Sequence, residues 1–71
     1  MALQPRIVFG RNVCRLRQLA KMTQEELAEH ADIDRRYVQR IEAGTANAGI
    51  DVISRVQKAL KCRWDELTKG L

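Results

Sequence analysis

The sequence predicts an all-α protein: a bundle of five short helices built around two that are joined by a tight turn. Three observations lead there. Apolar residues recur at helical spacing, as in Phe9, Val13, Leu16 and Ala20. Residues 23 to 44 carry start and stop signals for two consecutive helices. The 71 residues are read as one domain, 1–71, long enough for a single modest core. That size lies near the limit where stability is marginal without help, and self-association is a natural form of help.

Residues 6 to 21 are expected to form the first helix, on the stripe just named, and Pro5 suits its first turn. Arg11, Arg15 and Lys21 face away from the stripe. Arg15 and Lys21 read as solvated, and Arg11, near the amino end, as a phosphate contact. Thr23-x-x-Glu26 is a capping box: the threonine oxygen accepts from the N3 amide while the glutamate reaches back to the cap amide. A second helix over 24 to 31 therefore follows, with Leu27, Ala28 and Ala31 inward and Met22 and Ile33 packing before and after it. Asp34 caps the third helix. Gly44 ends it, because glycine enters the left-handed conformation without a Cβ penalty.

On that third helix, a turn of about 100° per residue gathers Arg35, Gln39, Arg36 and Arg40 into an arc of about 140°. Tyr37, Val38 and Ile41 fall opposite, and Glu42 lies between the two faces, where it can meet Arg17 from the end of the first helix. Residues 44 to 49, Gly-Thr-Ala-Asn-Ala-Gly, form a small polar loop. It serves either as a plain connector or as a segment lying along a sugar-phosphate backbone, with its amides, Thr45 and Asn47 as donors. The fourth helix is expected over about 50 to 61 with Ile50, Ile53, Val56 and Leu60 inward. A short fifth over about 64 to 68 docks Trp64 and Leu67 on the core. The tail and parts of the last helix then leave apolar surface uncovered, which marks Trp64, Leu67 and Leu71 as a candidate dimer interface.

Net charge is +4 with an isoelectric point near 9.6, which favours polyanions in general. Distribution says more than the total. Residues 1 to 21 carry Arg6, Arg11, Arg15, Arg17 and Lys21 with no acid, while residues 22 to 34 carry Glu25, Glu26, Glu29, Asp32 and Asp34 with no lysine or arginine. Positive charge returns at Arg35, Arg36 and Arg40. An ordinary exposed helix face mixes signs through i,i+4 pairs, but the outward arc of the third helix holds three guanidiniums, an amide and no acid. Arginine donates two hydrogen bonds to guanine O6 and N7, and glutamine pairs with adenine N6 and N7. The arc therefore suits the major groove of duplex DNA, with Arg35, Arg36, Gln39 and Arg40 as the expected base contacts.

Other chemistries find less support. No secretory or membrane segment is visible, so a cytoplasmic protein is expected. Cys14 and Cys62 sit inside helical patterns and read as buried free thiols. With His30 they match no zinc-ligand spacing, so neither metal nor cofactor is expected. Ser54 and His30 are the one serine and the one histidine. They lie on helices that point apart, and no phosphate loop accompanies them, so an enzyme is not expected. Phe9, Tyr37 and Trp64 occupy core positions, which leaves no aromatic platform for unstacked RNA bases.

From about residue 9 to residue 67 the chain resembles the phage-repressor-like, or XRE, family of helix-turn-helix DNA-binding domains. The residues that carry the resemblance are Leu16-Arg17, Thr23-Gln24-Glu25-Glu26-Leu27-Ala28, Tyr37-Val38, Arg40-Ile41-Glu42 with Gly44, Ala59-Leu60 and Asp65-Glu66-Leu67. The resemblance implies a five-helix phage-repressor-like bundle with residues 35 to 42 as recognition helix. It implies that Gln24 grips a phosphate, that Arg35, Arg36 and Arg40 read bases, and that Arg17 and Glu42 form a partly buried structural ion pair. Backbone contacts are thus expected from Gln24, Arg11, Thr45, Asn47 and Tyr37.

The chain departs from the family pattern at several places. Ala43, Thr45 and Ala46 stand where basic residues are frequent, Gly49 where a serine often caps the fourth helix, Gln57 where a small apolar residue is usual, and Lys61 where glycine is frequent. The fourth helix is accordingly expected to be less firmly fixed, and the turn before Trp64 to differ. In brevity the chain is similar to phage repressors and to controller proteins of restriction-modification systems. The expected function is a sequence-specific DNA-binding transcriptional regulator, reading an inverted-repeat operator as a homodimer. The alternative is a protein-binding module such as the antitoxin of a toxin pair.

Overall fold

The computed structural model describes residues 3–71, folded into five helices within an envelope of 34 × 22 × 21 Å. They are α1 (Pro5–Leu19), α2 (Gln24–Ala31), α3 (Arg35–Ala43), α4 (Ile50–Leu60) and α5 (Trp64–Leu67). Every helix contributes at least one fully buried side chain to the centre: Val13, Leu27, Val38 and Ile41, Val56, and Leu67. Burying each such side chain stabilises the fold by about 1.5–3 kcal/mol. The core therefore ties all five helices to one another.

α1 begins with Pro5 in its first turn and stops at Leu19, two residues short of the expected end. Lys21 causes the stop by taking a left-handed conformation, φ 58°, which turns the chain toward α2. Ala20 is consequently exposed and outside the helix, where the apolar stripe had placed it inward. The inner face is completed instead by Gly10 and Asn12, both buried. A Cβ on Gly10 would lie 2.1 Å from the Ile41 carbonyl oxygen, so glycine there lets α1 touch the backbone of α3. Asn12 Nδ2 donates to the Leu67 and Lys69 carbonyls at 2.9 and 2.8 Å, which fastens the end of α5 to α1.

Local chemistry defines the central pair. Glu26 N donates to Thr23 Oγ1 at 3.0 Å and Thr23 N to Glu26 Oε1 at 2.9 Å, the two halves of the capping box. Asp32 ends α2 in a left-handed conformation, φ 55°. Asp34 caps α3 by accepting from Arg36 N at 2.7 Å. Gly44 closes α3 at φ 78°, where a Cβ would also meet Ile7 Cγ1 at 2.9 Å. The loop beyond is anchored by Ala46, which is buried in the core, and this accounts for an alanine where a charged residue would not fit.

Two placements differ from the sequence reading in the last third of the chain, and one candidate interface residue is withdrawn. Ile50 is 72% exposed, because it lies about 120° round the α4 wheel from fully buried Val56. Trp64 is 45% exposed and does not dock on the core as expected. Leu67 has no exposed surface, so it is removed from the candidate dimer interface: a side chain enclosed by its own bundle has no area to offer a partner. The turn before Trp64 keeps the geometry glycine would give it. Lys61 takes the left-handed conformation itself, φ 52°, and Gln57 Nε2 donates to the Cys62 carbonyl to hold the turn closed.

Candidate nucleic-acid interface

α3 owes its orientation to its inner face. Val38 and Ile41 are buried on the side of α3 that packs against α1 and α2, and this leaves Arg35, Arg36, Gln39 and Arg40 exposed on the opposite side. Tyr37 is half-buried at the edge of that face. With Asp34, Arg36 and Arg40 it walls one shallow surface hollow. The four outward residues present guanidinium and amide donors side by side, and no acid interrupts them within α3. Beside them, Asp34 accepts not only from Arg36 N but also from Arg36 Nε at 3.4 Å. Those bonds, the backbone one foremost, hold the Asp34 carboxyl below its ordinary range.

Beneath this face runs a polar network. Arg17 Nε donates to Glu42 Oε2 at 2.6 Å and Arg17 Nη2 to Glu42 Oε1 at 3.0 Å, a bidentate pair with side chains only 13% and 7% exposed. Arg17 Nη1 donates to the Met22 carbonyl at 2.8 Å, and Gln24 Nε2 to Glu42 Oε1 at 3.0 Å. Burial pushes the Glu42 carboxyl up, but the bonds from Arg17 and Gln24 outweigh it and bring the group below its usual range. Cys14 lies against the same pair, with its sulfur 3.8 Å from Arg17 Nη2. Burial and the nearby Glu42 charge raise its thiol pKa above the ordinary cysteine value.

The candidate backbone contacts are spread around this centre. Gln24, at the first position of α2, has one amide hydrogen committed to Glu42 and a second directed elsewhere. Thr45 folds its hydroxyl back onto the Arg40 carbonyl at 3.3 Å and so also finishes α3. Asn47 borders a hollow with Gln4, Pro5 and Arg6 at the start of α1. Arg11 is exposed on α1. Among the described residues no cluster of His, Cys, Asp or Glu is able to hold a metal ion, both cysteines are free, and no helix is long and apolar enough to cross a membrane.

A family model described as helix-turn-helix matches residues 15–67, three quarters of the chain and the whole of the α2–α3 pair. The chain belongs to this helix-turn-helix family. Within it the chain is of the XRE type, a DNA-binding transcription regulator. It is 41% identical over 56 residues to the control protein C.BamHI of Bacillus amyloliquefaciens, which covers 78% of this chain and 69% of that protein. Its fold is similar to that of the restriction-modification controller protein C.AhdI from Aeromonas hydrophila, with a TM-score of 0.84 and 32% identity over 87% of this chain and 94% of that one. A hypothetical transcription factor, NHTF from Neisseria, matches with a TM-score of 0.86 and 29% identity over 92% and 75% of the two chains.

Some of what shapes this helix-turn-helix was hidden in the sequence. Asn12 had a usable signal, since Phe9, Asn12, Val13 and Leu16 share one face at i, i+3, i+4 and i+7, and an asparagine among them is a polar group that must find a partner. Gly10 lies next to that stripe and marks a close approach without saying to what. The bonds from Gln24 to Glu42 and from Arg17 to the Met22 carbonyl had no signal, because both depend on how α1, α2 and α3 are finally stacked.

Proposed function

We propose that this protein is the controller of a restriction-modification system, a regulator that binds an inverted-repeat operator as a homodimer and reads each half-site with α3. The observation that carries the reading is the outer face of α3. Four exposed donor side chains stand on a helix whose opposite face is locked into the core. Such a helix presents its donors in a fixed pattern, and a fixed pattern is what base edges in the major groove require. Arg35, Arg36 and Arg40 would address guanine O6 and N7, and Gln39 adenine N6 and N7. Gln24, Arg11, Tyr37, Thr45, Asn47 and backbone amides would hold phosphates and so set the register. The control and controller proteins to which the chain is similar support the choice of biological setting.

One recognition helix reads only a few base pairs, so useful specificity calls for two. In a symmetric dimer the two reading helices lie about one DNA turn apart, roughly 34 Å, which makes the operator an inverted repeat. Exposed Trp64 and Leu71 are the apolar residues offered for that dimer, now joined by Ile50. Bound over a promoter, the dimer blocks or recruits polymerase. Selection of bound sequences from random duplex DNA tests the whole reading. An enriched inverted repeat with half-sites one turn apart is expected, and Arg36→Ala or Arg40→Ala should lose about 1–3 kcal/mol and relax one base position. No enrichment, with binding that instead requires a second protein, would favour the antitoxin reading.

A further inference from the structure

Asp34 does more at the head of α3 than a cap requires. Its Oδ1 accepts from Arg36 N at 2.7 Å, the capping bond, and also from Arg36 Nε at 3.4 Å. Asparagine, serine or threonine would cap as well without a charge. A carboxylate on a face that approaches phosphates weakens binding to every DNA, because it subtracts from the cations that displace counterions. Some compensating role is called for, and the atoms involved supply one.

A guanidinium presents two edges. Asp34 holds Arg36 by the Nε edge, while both terminal nitrogens keep their hydrogens, and a guanine takes two parallel donors on O6 and N7. Arg63 and Asp65 pair by the same edge away from α3, with Nε and Nη2 both donating to the carboxylate. The side chains of Arg36 and Asp34 are 83% and 60% exposed, so their contact contributes little to folding. Its consequence lies in direction. We propose that Asp34 is a positioning residue for base reading, holding Arg36 by Nε so that its two terminal nitrogens meet one guanine. This rests on α3 being the recognition helix.

The test compares wild type, Asp34→Asn, Asp34→Ser, Arg36→Ala and the double variant Asp34→Asn/Arg36→Ala on the selected operator. Duplexes carry single substitutions at each position, and melting is followed alongside. The base pair addressed is the one at which Arg36→Ala relaxes preference. Both Asp34 variants retain a cap and should melt as wild type does; Asp34→Ser, whose short hydroxyl cannot serve the cap and Arg36 Nε together, should lose about tenfold discrimination at that pair alone, and Asp34→Asn, whose amide oxygen accepts more weakly than a carboxylate, should lose less. The double variant should discriminate no worse there than Arg36→Ala by itself. Retained discrimination in Asp34→Ser would overturn the proposal and leave DNA recognition standing. So would a loss that adds to that of Arg36→Ala, since the carboxylate would then be reading a base on its own account. A wild-type protein without sequence preference would bring down both this proposal and the reading beneath it.

Discussion

Glu42 is the residue on which most of the polar interior depends. It receives three hydrogen bonds, two from Arg17 and one from Gln24, while Arg17 also reaches the Met22 carbonyl. Removing the acid leaves a guanidinium almost without water and without its counter-charge. Glu42→Ala should therefore destabilise the fold by about 3–5 kcal/mol, read as a lowered melting temperature. An unchanged melting temperature would mean that solvent reaches Arg17. The pH dependence has a definite sign. The Glu42 carboxyl lies below its ordinary value when folded, so its contribution is fully present above the unfolded pKa of about 4.3 and is lost as pH falls through the folded pKa. Wild type should thus exceed Glu42→Gln in stability at neutral pH, with the gap closing in acid. At this scale the sequence could name Arg17 and Glu42, by resemblance and by the wheel. It could not name Gln24 or Met22 as their partners.

At the scale of the helices, two glycine-related positions give opposite predictions. Gly10 sits inside α1, where alanine is ordinarily better by about 0.5–1 kcal/mol. Here the added Cβ would lie 2.1 Å from the Ile41 carbonyl oxygen, a backbone atom that cannot swing aside. Overpacking of this kind costs about 1–3 kcal/mol and should win, so Gly10→Ala should lower the denaturation midpoint. Lys61 is the converse, since it occupies a left-handed conformation that costs a non-glycine residue about 1–2 kcal/mol. Lys61→Gly should raise stability by up to about 1 kcal/mol, less whatever the freer unfolded chain takes back. The starts and stops that rest on neighbouring residues were legible: the capping box at Thr23, the Asp34 cap and the Gly44 terminus. The end of α1 was not, because a lysine in the left-handed region leaves no mark in a sequence. Ile50 misled for a related reason. Its apolar character suited the stripe, but its angle on the wheel did not.

For the molecule as a whole, charge and apolar surface carry the remaining predictions. The basic residues of α3 and α1 imply duplex binding that weakens steeply as salt rises, and the slope should fall by about one unit when a phosphate contact such as Arg11 is removed. An Arg11→Ala protein with the wild-type slope would take Arg11 off the DNA. In the proposed dimer exposed Ile50, Trp64 and Leu71 supply apolar contacts, so the melting temperature should rise with protein concentration. Ile50→Glu or Leu71→Glu should abolish that rise while leaving the melting of the dilute protein unchanged. The five-helix class was readable because amphipathic stripes and caps are local. How the tail packs was not, because the difference between covering a core and covering a partner appears only once the helices are assembled.

The contact of Gly10 with the Ile41 carbonyl has one more consequence. It joins α3 to α1 through main chain, and main chain does not change when side chains are exchanged. Arg35, Arg36, Gln39 and Arg40 take no part in that joint or in the buried core. Substitutions at these four positions can accumulate in descendants without tilting the helix that bears them. On the proposed reading of α3, lineages built on this frame could move to new operators at little risk to folding.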